Sequence, residues 1–227
     1  MPSQPPLPLP RRTPVFPLPG LTLFPHTHLP LQVFEPRYRN LMEDTLRKPE
    51  AEHLFAIGTI MEAPGAPTLG EPPVFEVAGV GRIAEYSRLP DGRFTLVLEG
   101  MGRARLRVED ELVNGYRVFE ADWLPDREPA WDDEWREQLE LELRGLALAL
   151  LREHAEKFRE LLLRQRTLGA LADVVSGYLP FPADFKLAQM ADANAMTRAG
   201  RAVAMLERMM QAAPHRPLDP DGNAPRN

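Results

Sequence analysis

The chain has 227 residues, no cysteine and a net charge of −6, which divides into −3 for residues 1–125 and −3 for residues 126–227. The lack of cysteine excludes a disulfide framework, a thiolate metal site and a cysteine nucleophile. The acidic charge of both parts disfavours a basic nucleic-acid domain, and no apolar run has the roughly 18–20 residues needed to cross a bilayer. We therefore expect a cytoplasmic protein of one or two domains.

The start of the chain alternates prolines with short apolar runs. Residues 1–13 contain five prolines and are expected to form a flexible lead. The runs 15–18 and 29–34 are predicted to suit sheet edges and strand ends, because proline lacks the N–H of a ladder hydrogen bond. Pro36 is predicted to begin a helix, since its fixed φ suits the first helical position.

The middle of the chain has the spacing of a small β-barrel. Strands are predicted at residues 54–60, 74–89, 94–99, 103–108 and 116–123. An exposed loop at 61–73 and turns at 89–92 and 114–115 separate them. Short strands at this spacing indicate a closed or nearly closed barrel with one inserted helix, over residues 14–125.

After Pro125 the apolar pattern becomes helical. Large apolar residues from Trp131 to Leu161 follow one stripe, which predicts a long helix supported by Glu140/Arg144 and Glu160/Arg164 pairs. Thr167 is predicted to cap a second helix, and two more helices follow. The predicted fold is therefore α+β, with a helical bundle at 126–211 and a flexible tail at 212–227.

An ordered set of motifs begins between Val15 and Tyr38. The motifs are Phe16-Pro17-Leu18, Leu23-Phe24-Pro25, Leu29-Pro30-Leu31 and Phe34–Arg39, followed by Gly79–Ile83, Leu89–Arg93, Glu99–Leu106 and Ala170–Leu187. Together they resemble the N-terminal, substrate-binding domain of Lon proteases. The resemblance covers roughly residues 13–211. It implies a PUA-like pseudo-barrel followed by helices, in a stand-alone form without the ATPase and protease domains.

The resemblance carries a recognition role and no catalysis. The phosphate-binding pattern G-x-x-x-x-G-K-[S/T] is absent, and no serine has the sequence context of a Ser–Lys dyad. The predicted function is a non-catalytic module without cofactors. It would bind unfolded or extended polypeptide where the barrel meets the helices, in concert with a protease or chaperone. The candidate contact residues are Phe34, Glu35, Arg37, Tyr38 and Arg82.

Two alternatives remain at this point. Arg103, Arg105 and Arg107 alternate along one predicted strand, and on its outer face they would form a phosphate-binding patch for RNA. The acidic total charge argues against that interpretation.

The second alternative is a hydrolase, which requires two of the side chains of Glu35, His26, His28 and Ser87 to converge. His26 and His28 lack a third ligand at a telling spacing, so no metal site is predicted.

Overall fold

Six strands of the described residues form one mixed sheet that closes on itself. The computed structural model describes residues 9–61, 71–127, 133–151 and 155–212. The sheet order is β2-β5-β4-β3-β1-β6, and a β5–β6 pairing closes the barrel. The strands are β1 (Arg12–Pro19), β2 (His28–Val33), β3 (Leu54–Ile60), β4 (Val77–Arg88), β5 (Phe94–Glu109) and β6 (Arg117–Trp123). With the helices below, this confirms the predicted α+β fold.

β5 is one continuous strand, whereas two strands were predicted in this region. It pairs with β2 and β4 along its first half and with β4 and β6 along its second half. A register shift opposite Val80 and Gly81 reverses the face that its side chains occupy. The glycines at this point allow close approach. A Cβ at Gly100 would overlap the carbonyl oxygen of Phe24, and one at Gly102 would lie 2.7 Å from the Trp123 ring.

β1 lies between β3 and β6 in the sheet order, so it is not an outermost strand. Its first half pairs antiparallel with β6 over Arg12–Val15, and its second half pairs parallel with β3 over Val15–Pro19. Each half therefore has a neighbour on one side only. Every residue of β1 except Val15 is paired with a single neighbouring strand. The prolines are tolerated because their missing N–H can face the side without a neighbour.

α1 (Pro36–Leu46) begins at the predicted proline and packs on the sheet. Its Tyr38, Leu41 and Met42 join strand side chains such as Phe55 and Leu98 in one core. Alternate residues of the same strands form a second core whose members come from the strands alone. A short 3₁₀ turn (Glu50–Glu52) then leads into β3.

Five helices follow the sheet in the part of the chain that the structure describes. They are α2 (Asp133–Leu151), α3 (Ala155–Arg164), α4 (Leu168–Tyr178), α5 (Ala183–Ala191) and α6 (Ala195–Ala212). The predicted long helix is wrong, because the Arg144 guanidinium of α2 donates to the carbonyls of Leu162 and Gln165 at the end of α3. In one continuous helix, residues 144 and 162 would lie about 27 Å apart, which is too far for this contact. Trp135, placed on the buried stripe by its spacing, is 60% exposed.

Several local predictions for this part of the chain are confirmed. Thr167 Oγ1 accepts a hydrogen bond from Ala170 N at 3.1 Å and caps α4. Asn114 and Gly115 have positive φ in a two-residue turn, as predicted. The predictions for Trp131 and for parts of the N-terminal lead, the 61–73 loop and the C-terminal tail lie outside the described residues. Within the described ranges, no helix has the length and apolarity to cross a membrane.

Candidate functional site

A cleft of about 760 Å³ opens on β2, β4 and β5. It is lined by residues 30–32 of β2, 84–87 of β4 and 95–97 of β5. Leu96 and Leu98 of β5 point into the core against α1, so the alternate residues Thr95 and Val97 point to the opposite side. Thr95 and Val97, which line the cleft, therefore lie on the face of the sheet opposite to α1.

Strand register arranges the side chains of the cleft in two rows. One row is Pro30, Val97 and Glu85, and the next is Gln32, Thr95 and Ser87. A register shift between Ile83 and Glu85 inserts Ala84 into β4 beside the first row. The centre of the cleft is therefore apolar at Val97, with amide, hydroxyl and carboxyl groups around it.

A charged row borders the cleft at one end. Glu99 of β5 lies opposite His28 of β2 and Arg82 of β4. The Arg82 guanidinium donates to Glu99 Oε2 at 2.5 Å, with the two side chains 42% and 35% exposed. Arg82, a predicted contact residue, thus lies one row from the cleft and is held by an ion pair.

The outer edge of β2 offers few free hydrogen-bond donors. His28 N donates to Tyr178 Oη of α4 at 3.1 Å, so the His28 N–H points away from β5. Alternation along an antiparallel ladder then directs the backbone groups of Pro30 and Gln32 outward as well. Proline has no N–H, which leaves Gln32 as the outward donor of this strand. The predicted edge position of the second apolar run is confirmed, and its proline protects the edge.

The predicted contact residues around the start of α1 differ in accessibility. Phe34 is 63% exposed. Glu35 and Arg37 form an ion pair, with Arg37 Nε donating to Glu35 Oε2 at 2.9 Å. Tyr38 is only 3% exposed and stacks on Phe16 at a centroid distance of 4.1 Å. Tyr38 is therefore a core residue, and its prediction as a ligand contact is wrong.

The predicted arginine face on β5 is wrong at its first residue. Arg103 is 3% exposed, Arg105 is half-buried, and Arg107 is exposed and paired with Asp122 at 2.8 Å. Alternation indicated that the three side chains share one side of the strand. It could not indicate that the helices cover that side at Arg103. The RNA-binding interpretation therefore loses one of its three arginines.

Arg103 instead belongs to a buried charge network between barrel and helices. Its guanidinium donates to Asp126 Oδ1 at 3.0 Å and to Asp173 of α4. Arg198 of α6 contacts the same two carboxylates, at 2.7 Å and 3.2 Å. Burial raises the pKa of Asp173, and the adjacent guanidiniums of Arg103 and Arg198 oppose that rise. Glycine at position 169 makes room, because a Cβ there would overlap Asp126.

The junction of barrel and helices is packed, whereas the sequence predicted the binding groove there. Phe24, Val77 and Met190 form a small buried core across it. A Cβ at Gly177 of α4 would lie 2.6 Å from Thr27 Cγ2, so the backbones approach closely. The cleft on β2, β4 and β5 lies on the barrel instead.

A family model described as the ATP-dependent protease La (LON) substrate-binding domain matches residues 12–208. The chain belongs to this Lon domain family. The resemblance found in the sequence motifs is thereby confirmed, and the matched domain is a non-catalytic module.

Solved structures of Lon domains have the same fold. The crystal structure of the Lon N-terminal domain protein from Xanthomonas campestris superposes with a TM-score of 0.60 and 25% identity, covering 85% of this chain and 97% of that one. The N-terminal domain of Lon protease from the Mycobacterium avium complex superposes with a TM-score of 0.67 and 19% identity, covering 86% and 98%.

A similar full-length protein is Lon protease 2 of Sorangium cellulosum. It is 33% identical over 106 residues, which are 45% of this chain and 12% of that protein. The chain thus corresponds to a small part of this relative's length.

The four residues of the hydrolase alternative are spread over a turn, two strands and the start of α1 in this Lon domain. His26 lies in a turn with φ +63°, whereas His28 begins β2 and Glu35 follows its end. Ser87 lies opposite Thr95, whereas His28 lies opposite Glu99. Thr95 and Glu99 are four residues apart on β5, or roughly 14 Å at about 3.4 Å per residue. Within the described ranges, no group of three His, Asp or Glu side chains could hold a metal ion.

The sequence patterns did not predict that the residues of the cleft lie together. The available signal was Val97, an apolar residue at an outward position of an alternating strand. Alternation gives the face of each residue, but only the register between strands places Pro30 and Glu85 beside Val97.

Proposed function

We propose that this Lon-family domain binds extended segments of unfolded polypeptide in the cleft of β2, β4 and β5. The observation that carries the proposal is an open, amphipathic cleft with Val97 at its centre. Its volume of about 760 Å³ is in the usual range for ligand sites. Three strands about 4.8 Å apart span a width suited to one extended chain. The family's description as a substrate-binding domain supports the same function.

The mode of binding follows from the protected edge of β2. A ligand strand that paired with β2 would find Gln32 as its outward N–H donor, because His28 N is bonded to Tyr178 and Pro30 has no N–H. The proposed ligand therefore lies across the sheet face and contacts side chains. Specificity then depends on residues of the cleft more than on backbone pairing.

A charge at the centre of the cleft tests the proposal. Val97→Glu should weaken binding of a labelled, permanently unfolded polypeptide about tenfold, since one well-buried aliphatic contact contributes roughly 1.5 kcal/mol. Fluorescence anisotropy measures the affinity. The matched control is Leu163→Glu, which adds the same charge at a 63% exposed position on α3.

Two results would contradict the proposal. One is no saturable binding by the wild-type domain at concentrations on the order of tens of micromolar. The other is equal binding by wild type and Val97→Glu, with both variants folded by circular dichroism.

We further propose that bound polypeptide passes to a protease or chaperone partner. The Lon relatives, in which a matching segment belongs to a longer protease, support this role. A partner complex isolated with polypeptide-loaded wild type, and lost with Val97→Glu, is the expected outcome.

A further inference from the structure

We propose that the cleft selects polypeptide segments with a basic side chain among apolar residues, and that Glu85 determines this preference. The inference rests on the proposed polypeptide binding and specifies the chemistry of the ligand. It is carried by the charge balance of the strands that line the cleft.

The arginines on either side of Glu85 along β4 are already neutralised. Arg82 pairs with Glu99 at 2.5 Å, and Arg88 pairs with Glu43 of α1. At the adjoining turn, Arg93 pairs with Asp91 at 2.6 Å. The cations nearest to the cleft in sequence therefore add no uncompensated positive charge to it.

Among the residues that line the cleft, Glu85 is the single Asp, Glu, Lys or Arg. It is exposed, lies opposite Val97, and forms no ion pair within the described part of the chain. The other side chains of its row and the next are Pro30, Val97 and the neutral polar Gln32, Thr95 and Ser87. The cleft thus presents one uncompensated carboxylate beside an apolar centre.

A lysine or arginine of the ligand complements this arrangement. Its methylenes can cover Val97 and Pro30 while its charged end reaches the Glu85 carboxylate. A ligand carboxylate at the same position would face Glu85 and lack a free cation in the cleft. The discrimination is therefore both attractive for basic ligands and repulsive for acidic ones.

The experiment compares three short apolar peptides that differ at one central residue, Lys, Gln or Glu, against wild type, Glu85→Gln and Glu85→Arg. For wild type, the Lys peptide should bind about three- to fivefold more tightly than the Gln peptide, as for a partly exposed ion pair. Glu85→Gln should abolish that preference. Glu85→Arg should reverse it in favour of the Glu peptide. Raising the salt concentration should shrink all these differences.

Glu207→Arg is the matched control. It makes the same charge change at an exposed position of α6 and should leave the order of the three peptides as in wild type. If it reverses the order, the preference comes from net charge and the assignment to Glu85 is overturned.

The remaining outcomes separate this inference from the proposed function. Equal binding of the three peptides to wild type, with Val97→Glu still weakening all of them, overturns the charge preference and retains polypeptide binding. No binding of any peptide or of unfolded polypeptide overturns both.

Discussion

At several positions in this domain, glycine is required because a neighbouring backbone segment leaves no room for a Cβ. Gly79 of β4 is the clearest case, since a Cβ there would overlap the carbonyl oxygen of Leu23. Gly145 lies on the exposed side of α2, and a Cβ at that position would have no neighbour within 4 Å. The same residue type therefore has opposite roles at the two sites.

Alanine substitution distinguishes these roles. Gly79→Ala should lower the free energy of unfolding by about 3 kcal/mol, because backbone must move to accommodate the methyl group. Gly145→Ala should raise it by about 0.5–1 kcal/mol through helix propensity. Urea unfolding followed by circular dichroism measures both. A stability loss at Gly145 equal to that at Gly79 would contradict the steric explanation.

At the scale of elements, one side of β5 is buried near the middle of the strand and exposed to solvent near its end. Arg107 pairs with Asp122 in solvent, with side chains 54% and 63% exposed. Arg103, four residues earlier on the same strand, lies between Asp126 and Asp173 with its side chain 2% exposed. Two arginine–aspartate contacts on one strand thus have very different solvation.

Methionine substitution should show that difference. Arg103→Met leaves two carboxylates, Asp126 and Asp173, sharing Arg198 as their remaining cation, and should cost about 3–5 kcal/mol of unfolding free energy. Arg107→Met should cost less than about 1 kcal/mol, as expected for an exposed ion pair. Equilibrium urea unfolding provides the comparison. Equal losses for the two variants would show that burial of Arg103 is not what makes it important.

Local signals predicted the elements well, and long-range contacts account for the errors. Pro36 at a helix start, the Asn114-Gly115 turn and the Thr167 cap depend on a few adjacent residues. The interior position of β1, the burial of Arg103 and the cleft depend on which distant segment lies alongside. Alternation and spacing contain no information about that neighbour.

At the scale of the whole molecule, the helices also protect the barrel. Tyr178 of α4 accepts the His28 N–H and so occupies part of the open edge of β2, where Pro30 removes another donor. Unpaired edge donors and acceptors promote pairing with further strands. The arrangement therefore disfavours association of copies through β2.

Restoring the donors should reveal this protection. The Pro30→Val/Tyr178→Phe double variant should form larger assemblies than wild type as its concentration rises, measured by sedimentation velocity. Gln32→Thr is the control, since it raises strand propensity on the same edge and adds no backbone donor. Unchanged sedimentation of the double variant would show that other features prevent association of copies through β2.

The buried charge network has a consequence for fragments of the domain. Arg103 and Asp126 precede residues 128–132, whereas Asp173 and Arg198 follow them. A cut in that segment would give two pieces, each with one cation and one anion at the surface where they meet. Each piece is charge-balanced there, yet the contacts of Arg103 with Asp173 and of Arg198 with Asp126 cross between them. The domain is thus suited to fragment complementation, in which two separately made halves reassemble in a single alignment.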